Sequence, residues 1–349
     1  MTSRERVFAA LDGRGPDRPP RDIWFRDFAQ RHRAADWAAV AERFPLDFVR
    51  MPGVLAPSER ARGEKGVIGV RVDDWGSVWR SLQMGLTGEV VRPALADWAD
   101  LDRYRPPNEM FERAAGRAAA EAPKAASREA AEACKATCRF RLGEVGSGPF
   151  ELMQFLRGTE NLYLDLAQPD ARLGRLLDMV HEFLVRHCEL WCRTDADGVA
   201  IGDDWGSQGA MLVNPDMWRR TFKPLYAEYF AMIRGAGKRV FFHTDGMTRE
   251  IIPDLIEIGV DALNCEVSCM DIEELGRSFR DKVTFWGELC RQRFLPFGTP
   301  DEVRGEARRM CRALGSARGG FIAHLTWGTD VPTENILAAF EEWARAWGQ

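Results

Sequence analysis

From residue 139 to the C-terminus, short apolar runs alternate with stretches whose apolar residues recur every three or four positions. The first pattern predicts buried strands and the second amphipathic helices. Arg139-Phe-Arg-Leu-Gly-Glu144, Val199-Ala-Ile-Gly-Asp203, Arg239 to Gly246, Val260-Asp-Ala-Leu-Asn264, Val283-Thr-Phe-Trp286 and Gly319-Gly-Phe-Ile-Ala323 read as strands. Between them, Leu173, Leu177, Val180, Leu184 and Trp191 mark one long helix, and Ile251 to Ile258 and Asp271 to Phe279 mark two more. Asn214-Pro215 and Thr299-Pro300-Asp-Glu302 supply capping residues with proline at the first helical position. Pro332 to Trp347 is the last helix. Upstream, Asp22-Ile-Trp-Phe25 and Phe48-Val-Arg-Met51 are strand candidates on either side of a helical stretch, Ala34 to Phe44.

Eight strands, most followed by a helix, predict an α/β fold of the closed (β/α)8 TIM barrel kind in preference to an open doubly wound sheet. A helical extension precedes the first strand. Residues 56–108 break the rhythm: Val67-Ile-Gly-Val-Arg-Val72, Ser77-Val-Trp79 and Thr87-Gly-Glu-Val-Val91 read as an inserted hairpin region capping one mouth. The stretch from Glu112 to Thr137 is Ala-rich and of high helix propensity. The whole chain, 1–349, is read as one barrel domain with this insertion.

Composition narrows the class. Hydrophobic residues at 45% and charged residues at 29% describe a chain with ample core, and a net charge of -5 gives no basis for a nucleic-acid partner. The N-terminus alternates charged and apolar residues, unlike a signal peptide, and no segment is apolar enough for a membrane span; a cytoplasmic location is expected. The eight cysteines (Cys134, Cys138, Cys188, Cys192, Cys265, Cys269, Cys290 and Cys311) are then read as thiols, and none has the spacing of a zinc knuckle.

In such a barrel the chemistry sits at the C-terminal strand ends. Here those ends carry Arg26 and Asp27, Arg50, Glu144, Asp203 and Asp204, His243 and Asp245, Cys265 and Glu266, Glu288, and His324. His243 and His324, with one or two of Asp245, Cys265, Glu266 and Glu288, could surround a zinc ion; the same groups could also form a metal-free, hydrogen-bonded polar cup. His32, His181 and His187 fall on or beside helices and read as surface or packing residues. Gly143-Glu-Val-Gly-Ser-Gly148 lacks the lysine and spacing of a phosphate loop. Asp-Asp-Trp-Gly-Ser occurs at 73–77 and again at 203–207, with different flanks and so no implied duplication.

Several stretches, in order, resemble the uroporphyrinogen decarboxylase superfamily, whose members include the decarboxylase and cobalamin-linked methyltransferases. They are Thr2-Ser-Arg-Glu-Arg-Val-Phe-Ala-Ala-Leu with Pro16-Asp-Arg-Pro-Pro20, Gly148-Pro-Phe-Glu151, Asp203-Asp-Trp-Gly-Ser-Gln208, His243-Thr-Asp-Gly246, Ile258-Gly-Val-Asp-Ala-Leu263, Phe297-Gly-Thr-Pro-Asp-Glu-Val303 and Val331-Pro-Thr-Glu-Asn-Ile336. The resemblance implies the same barrel. The decarboxylase's arginine-rich stretch corresponds to Trp24-Phe-Arg-Asp-Phe-Ala-Gln-Arg31, where Asp27 stands at the first arginine position and Arg26 one place away. The zinc methyltransferases hold metal with a His-x-Cys pair and a later cysteine. Here His243 matches, Asp245 stands in the cysteine's place, and the late position falls among His324, Leu325 and Thr326.

The resemblance therefore implies methyl transfer, linked to a corrinoid on a partner protein or to a small methyl donor. His243 and Asp245 would activate the acceptor, by metal coordination or as a base, with Asp203 and Glu288 orienting it. Asp204 and Glu144 are further substrate-contact candidates. The alternative is decarboxylation of uroporphyrinogen or another polycarboxylate, without a cofactor, with Arg26, Arg31 and Arg50 as carboxylate anchors. A third reading is a non-catalytic binding barrel. Trp75, Trp205 and Trp327 are read as packing residues, or else as lid or homodimer contacts.

Overall fold

The computed structural model describes residues 1–120 and 138–347. The Ala-rich stretch is helical up to Ala120; the rest of it, with Cys134, lies outside the described residues. The strands are β1 (Arg21–Trp24), β2 (Phe48–Arg50), β3 (Gly69–Val72), β4 (Val78–Ser81), β5 (Glu89–Arg92), β6 (Phe140–Ser147), β7 (Gly198–Gly202), β8 (Arg239–Thr244), β9 (Ala262–Cys265), β10 (Thr284–Trp286) and β11 (Phe321–Thr326). Eight of them form a parallel sheet in the order β1-β11-β10-β9-β8-β7-β6-β2. The backbone N–H of Asp47 donates to the Arg21 carbonyl at 3.0 Å, joining the start of β2 to β1 and all but closing the barrel. Each predicted strand is found, with ends displaced by a few residues. β11 runs on to Thr326, so His324 lies inside a strand and not, as the sequence predicts, at its end.

Because side chains alternate across a strand, each barrel strand divides its residues between two cores. Phe48, Phe140, Leu142, Ala200, Phe241, Ala262, Trp286 and Ile322 fill the barrel interior. Their neighbours Val199, Ile201, Val240, Phe242, Leu263, Cys265, Phe285, Phe321, Ala323 and Leu325 face outward to the helices. The N-terminal helix Ser3–Leu11, started by a Thr2/Glu5 capping box, sends Val7 into the interior cluster. Arg6 ties this helix to Asp47 at 2.7 Å, at the start of β2. The N-terminal end of the barrel is thereby stoppered, and the polar residues are left at the other mouth.

The insertion is a three-stranded antiparallel sheet, β3-β4-β5. Asp73 shapes its first turn by accepting the N–H groups of Trp75 and Ser77 and the indole N–H of Trp79. Thus the first Asp-Asp-Trp-Gly-Ser makes a hairpin turn, while the second follows β7. The sheet is fastened to the barrel through Ser77 Oγ, which donates to the Phe155 carbonyl at 2.9 Å, and through Trp75 packed on Phe183. Trp75, Trp205 and Trp327 are all buried and pack within the chain. Among the described residues no helix is long and apolar enough to cross a membrane.

Candidate active site

The loops after β7 and β8 meet backbone to backbone. Gly206 N–H donates to the Asp245 carbonyl at 3.0 Å, and Met247 N–H to the Ser207 carbonyl at 2.7 Å. Gly246 has φ +78°, and a Cβ there would lie 2.2 Å from the Gly206 carbonyl carbon, so the contact requires glycine. This seam carries Asp204 and Asp245 to the same place, and the N–H of Asp245 donates to Asp204 Oδ1 at 2.9 Å.

His243, the last interior residue of β8, faces them. Its Nε2 lies 3.4 Å from Asp204 Oδ1 and 3.6 Å from Asp245 Oδ1. Its Nδ1 is hydrogen-bonded to Asn264 Oδ1 on the adjoining strand β9. The amide of Asn264 donates to the Trp286 carbonyl, which can only accept, and this fixes the oxygen of Asn264 toward His243. Nδ1 therefore carries the ring proton, and in the neutral ring the Nε2 lone pair points at two carboxylates. Asp245 Oδ1 is buried without a hydrogen-bond partner. Three lone-pair donors thus converge, with ligand atoms of Asp204, His243 and Asp245 within 4.8 Å of one another. Mutual repulsion is relieved by a cation or by a proton on Nε2. Among the described residues this is the one cluster of at least three such groups.

The other candidates separate by parity along their strands. Asp203, expected beside His243, points outward instead: fully buried, it accepts the N–H groups of Phe150 (2.9 Å) and Glu151 (2.8 Å) and the hydroxyl of Tyr226. It caps the N-terminus of the helix Pro149–Arg157, and a Cβ on Gly148 would strike its carboxylate at 2.5 Å. Cys265, offered as a metal ligand, is likewise buried on the outer face. His324 is interior, but its Nδ1 is taken by Asn264 at 3.2 Å and it stands behind that amide, outside the convergent group. The Trp24 ring packs edge-on against both imidazoles. Glu266 accepts from Gln208 and from the Gly246 N–H, bracing the seam.

Glu288 is buried, accepts the Thr326 hydroxyl and pairs with Arg291 at 3.2 Å; Arg291 also pairs with Asp245. Arg50 is interior but already paired with Asp22 (2.7 Å) and Glu144 (2.6 Å). Arg31 is largely exposed and reaches Glu64 of the insertion. Arg26 opens the helix Arg26–His32, and its side chain lies outside the described residues. Sequence reasoning missed Asn264, Arg291 and Glu151. Asn264 was signalled by its parity with Ala262; Arg291, on a loop, had no periodic signal.

Burial pushes the carboxyls of Glu151, Asp204 and Glu288 above their usual range, with Asp204 adding to the rise at Glu151, His243 opposing it at Asp204 and Arg291 opposing it at Glu288. Burial holds His324 down at about 3, so it stays neutral at working pH. The unfolded chain protonates this residue near 6.5 and the folded chain does not until near 3, so the His324 contribution to stability is lost as pH falls through that window. Between pH 6.5 and about 5, wild type should lose about 1.5 kcal/mol more than H324Q in denaturant titrations, one buried imidazole's worth of linkage. Equal losses would contradict a neutral, buried His324.

The structure is similar to a methyltransferase from Methanosarcina mazei, with a TM-score of 0.68 and 16% identity over 99% of both chains, which shows a shared fold. Looser likenesses are to an endo-beta-1,4-xylanase of glycoside hydrolase family 10 from Gloeophyllum trabeum (TM-score 0.39, 10% identity, 62% of this chain and 77% of that one) and to Burkholderia cenocepacia dihydropteroate synthase (0.34, 15%, 47% and 61%). No curated protein matches the sequence. The family model for uroporphyrinogen decarboxylase (URO-D) matches residues 82–346. That span takes in every barrel strand from β6 to β11 and the whole His243 cluster, and the chain belongs to the uroporphyrinogen decarboxylase family.

Proposed function

We propose that the protein is a methyltransferase that moves a methyl group from a corrinoid on a partner protein, or from a small methyl donor, to an acceptor activated at His243, Asp204 and Asp245. The observation that carries this reading is Nε2 of His243 facing two carboxylates, one with an oxygen that has no hydrogen-bond partner. The full-length likeness to an archaeal methyltransferase supports it.

A thiolate-rich zinc site does not fit these residues. Asp245 stands where the family resemblance puts a cysteine, β11 offers His324, Leu325 and Thr326 at the late position, and Cys265 faces the helices. One imidazole and two carboxylates fit a divalent cation held through nitrogen and oxygen, zinc among them. Bound there, such an ion would supply Lewis acidity to a thiol or hydroxyl acceptor. The chain's own residues do the rest. Asn264 holds the His243 ring in one tautomer. Asp204 faces His243 through Oδ1, and its other oxygen, Oδ2, takes the acceptor's proton. The acceptor's lone pair forms the new bond to carbon, and the donor keeps the electron pair of the bond that breaks. Trp24 packs edge-on against the imidazole on one side.

Decarboxylation of a polycarboxylate finds less support. Arg31 is on the surface, Arg50 is engaged by Asp22 and Glu144, and the remaining mouth is rich in acids that repel a polyanion. The test is transfer of methyl from methylcobalamin to thiols and folates by the folded protein, with and without added divalent ions. Turnover is expected to require the ion. Silence under all conditions, with porphyrin quenching the tryptophan fluorescence, would favour the decarboxylase.

A further inference from the structure

Arg291 lies on the loop that follows β10, and its guanidinium is divided between two carboxylates. Nη2 bonds Asp245 Oδ2, and Nη1 lies 3.2 Å from Glu288 Oε2. A guanidinium is well suited to grip one carboxylate with both arms; here each acid receives one arm only. Glu288 is buried, and its other oxygen is held by the Thr326 hydroxyl of β11, so the arginine is anchored from behind by two barrel strands. The consequence falls on Asp245. Its Oδ2 is committed to Arg291, while Oδ1 stays without a hydrogen bond and faces His243 Nε2.

We propose that Arg291 is a specificity-determining positioning residue: by occupying Oδ2 it makes Asp245 a one-oxygen ligand, and so tunes the site to small cations of low coordination number against larger ones. This rests on the cation-site reading given above. Zinc is content with four ligands at short distances, whereas larger oxygen-seeking cations such as calcium take six to eight and commonly bind carboxylates through both oxygens. With Arg291 in place the protein offers Asp204, His243 and a single oxygen of Asp245. Without it, Asp245 can turn both oxygens inward, and a positive charge that opposes any cation is gone.

The experiment is calorimetric titration of the full chain with Zn2+ and, separately, Mn2+ and Ca2+, on wild type, R291M, R291K and E288Q. In R291M the affinities for Mn2+ and Ca2+ are expected to gain about tenfold relative to Zn2+. R291K, which still offers a donor to Oδ2, should stay near the wild-type ratio, and E288Q, which loosens the arginine from behind, should move the same way as R291M by less. Equal weakening of all ions in R291M and E288Q would mark a merely structural residue and overturn the proposal, as would a wild type that binds no divalent ion, which would remove the cation site too. A shifted ratio in a protein that transfers no methyl group supports the role of Arg291 and counts against the methyl-transfer reading alone.

Discussion

Replacing Asp203 by alanine should lower the unfolding free energy by about 3–5 kcal/mol, because it strands two helix N–H groups and a tyrosine hydroxyl in a dry interior. Those donors belong to Phe150, Glu151 and Tyr226, and the aspartate that accepts them is fully buried. The neighbouring change, Asp204→Ala, removes a mostly buried carboxylate whose backbone partner, the Asp245 N–H, lies at the mouth. It should change stability by about 1 kcal/mol or less while removing ion binding. Chemical denaturation of both variants checks the pair; comparable destabilisation would show that the two residues do not face opposite sides of the strand.

The largest functional effect is expected at His243. Alanine there deletes the nitrogen on which Asp204 and Asp245 converge, and also leaves the Asn264 carbonyl without its partner. Methyl transfer should fall by about a thousandfold or more, the scale associated with losing an acid–base or electrostatic group at a reacting centre. H324Q, by contrast, keeps a hydrogen-bonding side chain behind Asn264 and should lose about tenfold at most. If H243A retained near-wild-type turnover in a methylcobalamin assay, the chemistry would lie elsewhere.

Much of this was legible in the sequence. The eight barrel strands are short apolar runs set between amphipathic helices, and the insertion announces itself by alternating residues around polar turns. His243 and Asp245 were legible too, because an imidazole and a carboxylate closing an apolar strand are costly to bury unless they face a polar mouth. The sequence reading sets Asp203 beside His243 and Asp204 only among the substrate contacts, although two-residue alternation points the other way: Ala200 is interior and Ile201 exterior, which puts Asp204 inside and Asp203 out. The same parity exchanges Cys265 for Asn264 on β9. His324 was misjudged for a different reason, since β11 continues past the apolar run that marked it. Arg291 could not be found this way. Its reach to Asp245 and Glu288 comes from the path of a loop, and loop path leaves no periodic trace.

The direct test of the convergent His243 site is the stoichiometry of divalent-ion binding, measured calorimetrically on metal-stripped protein and on the folded variants H243A and D245N. One ion per chain in the wild type, lost in both variants, is the predicted result. An ion that binds equally well without the imidazole, or no ion at any concentration that leaves the protein folded, would contradict a cation held among Asp204, His243 and Asp245.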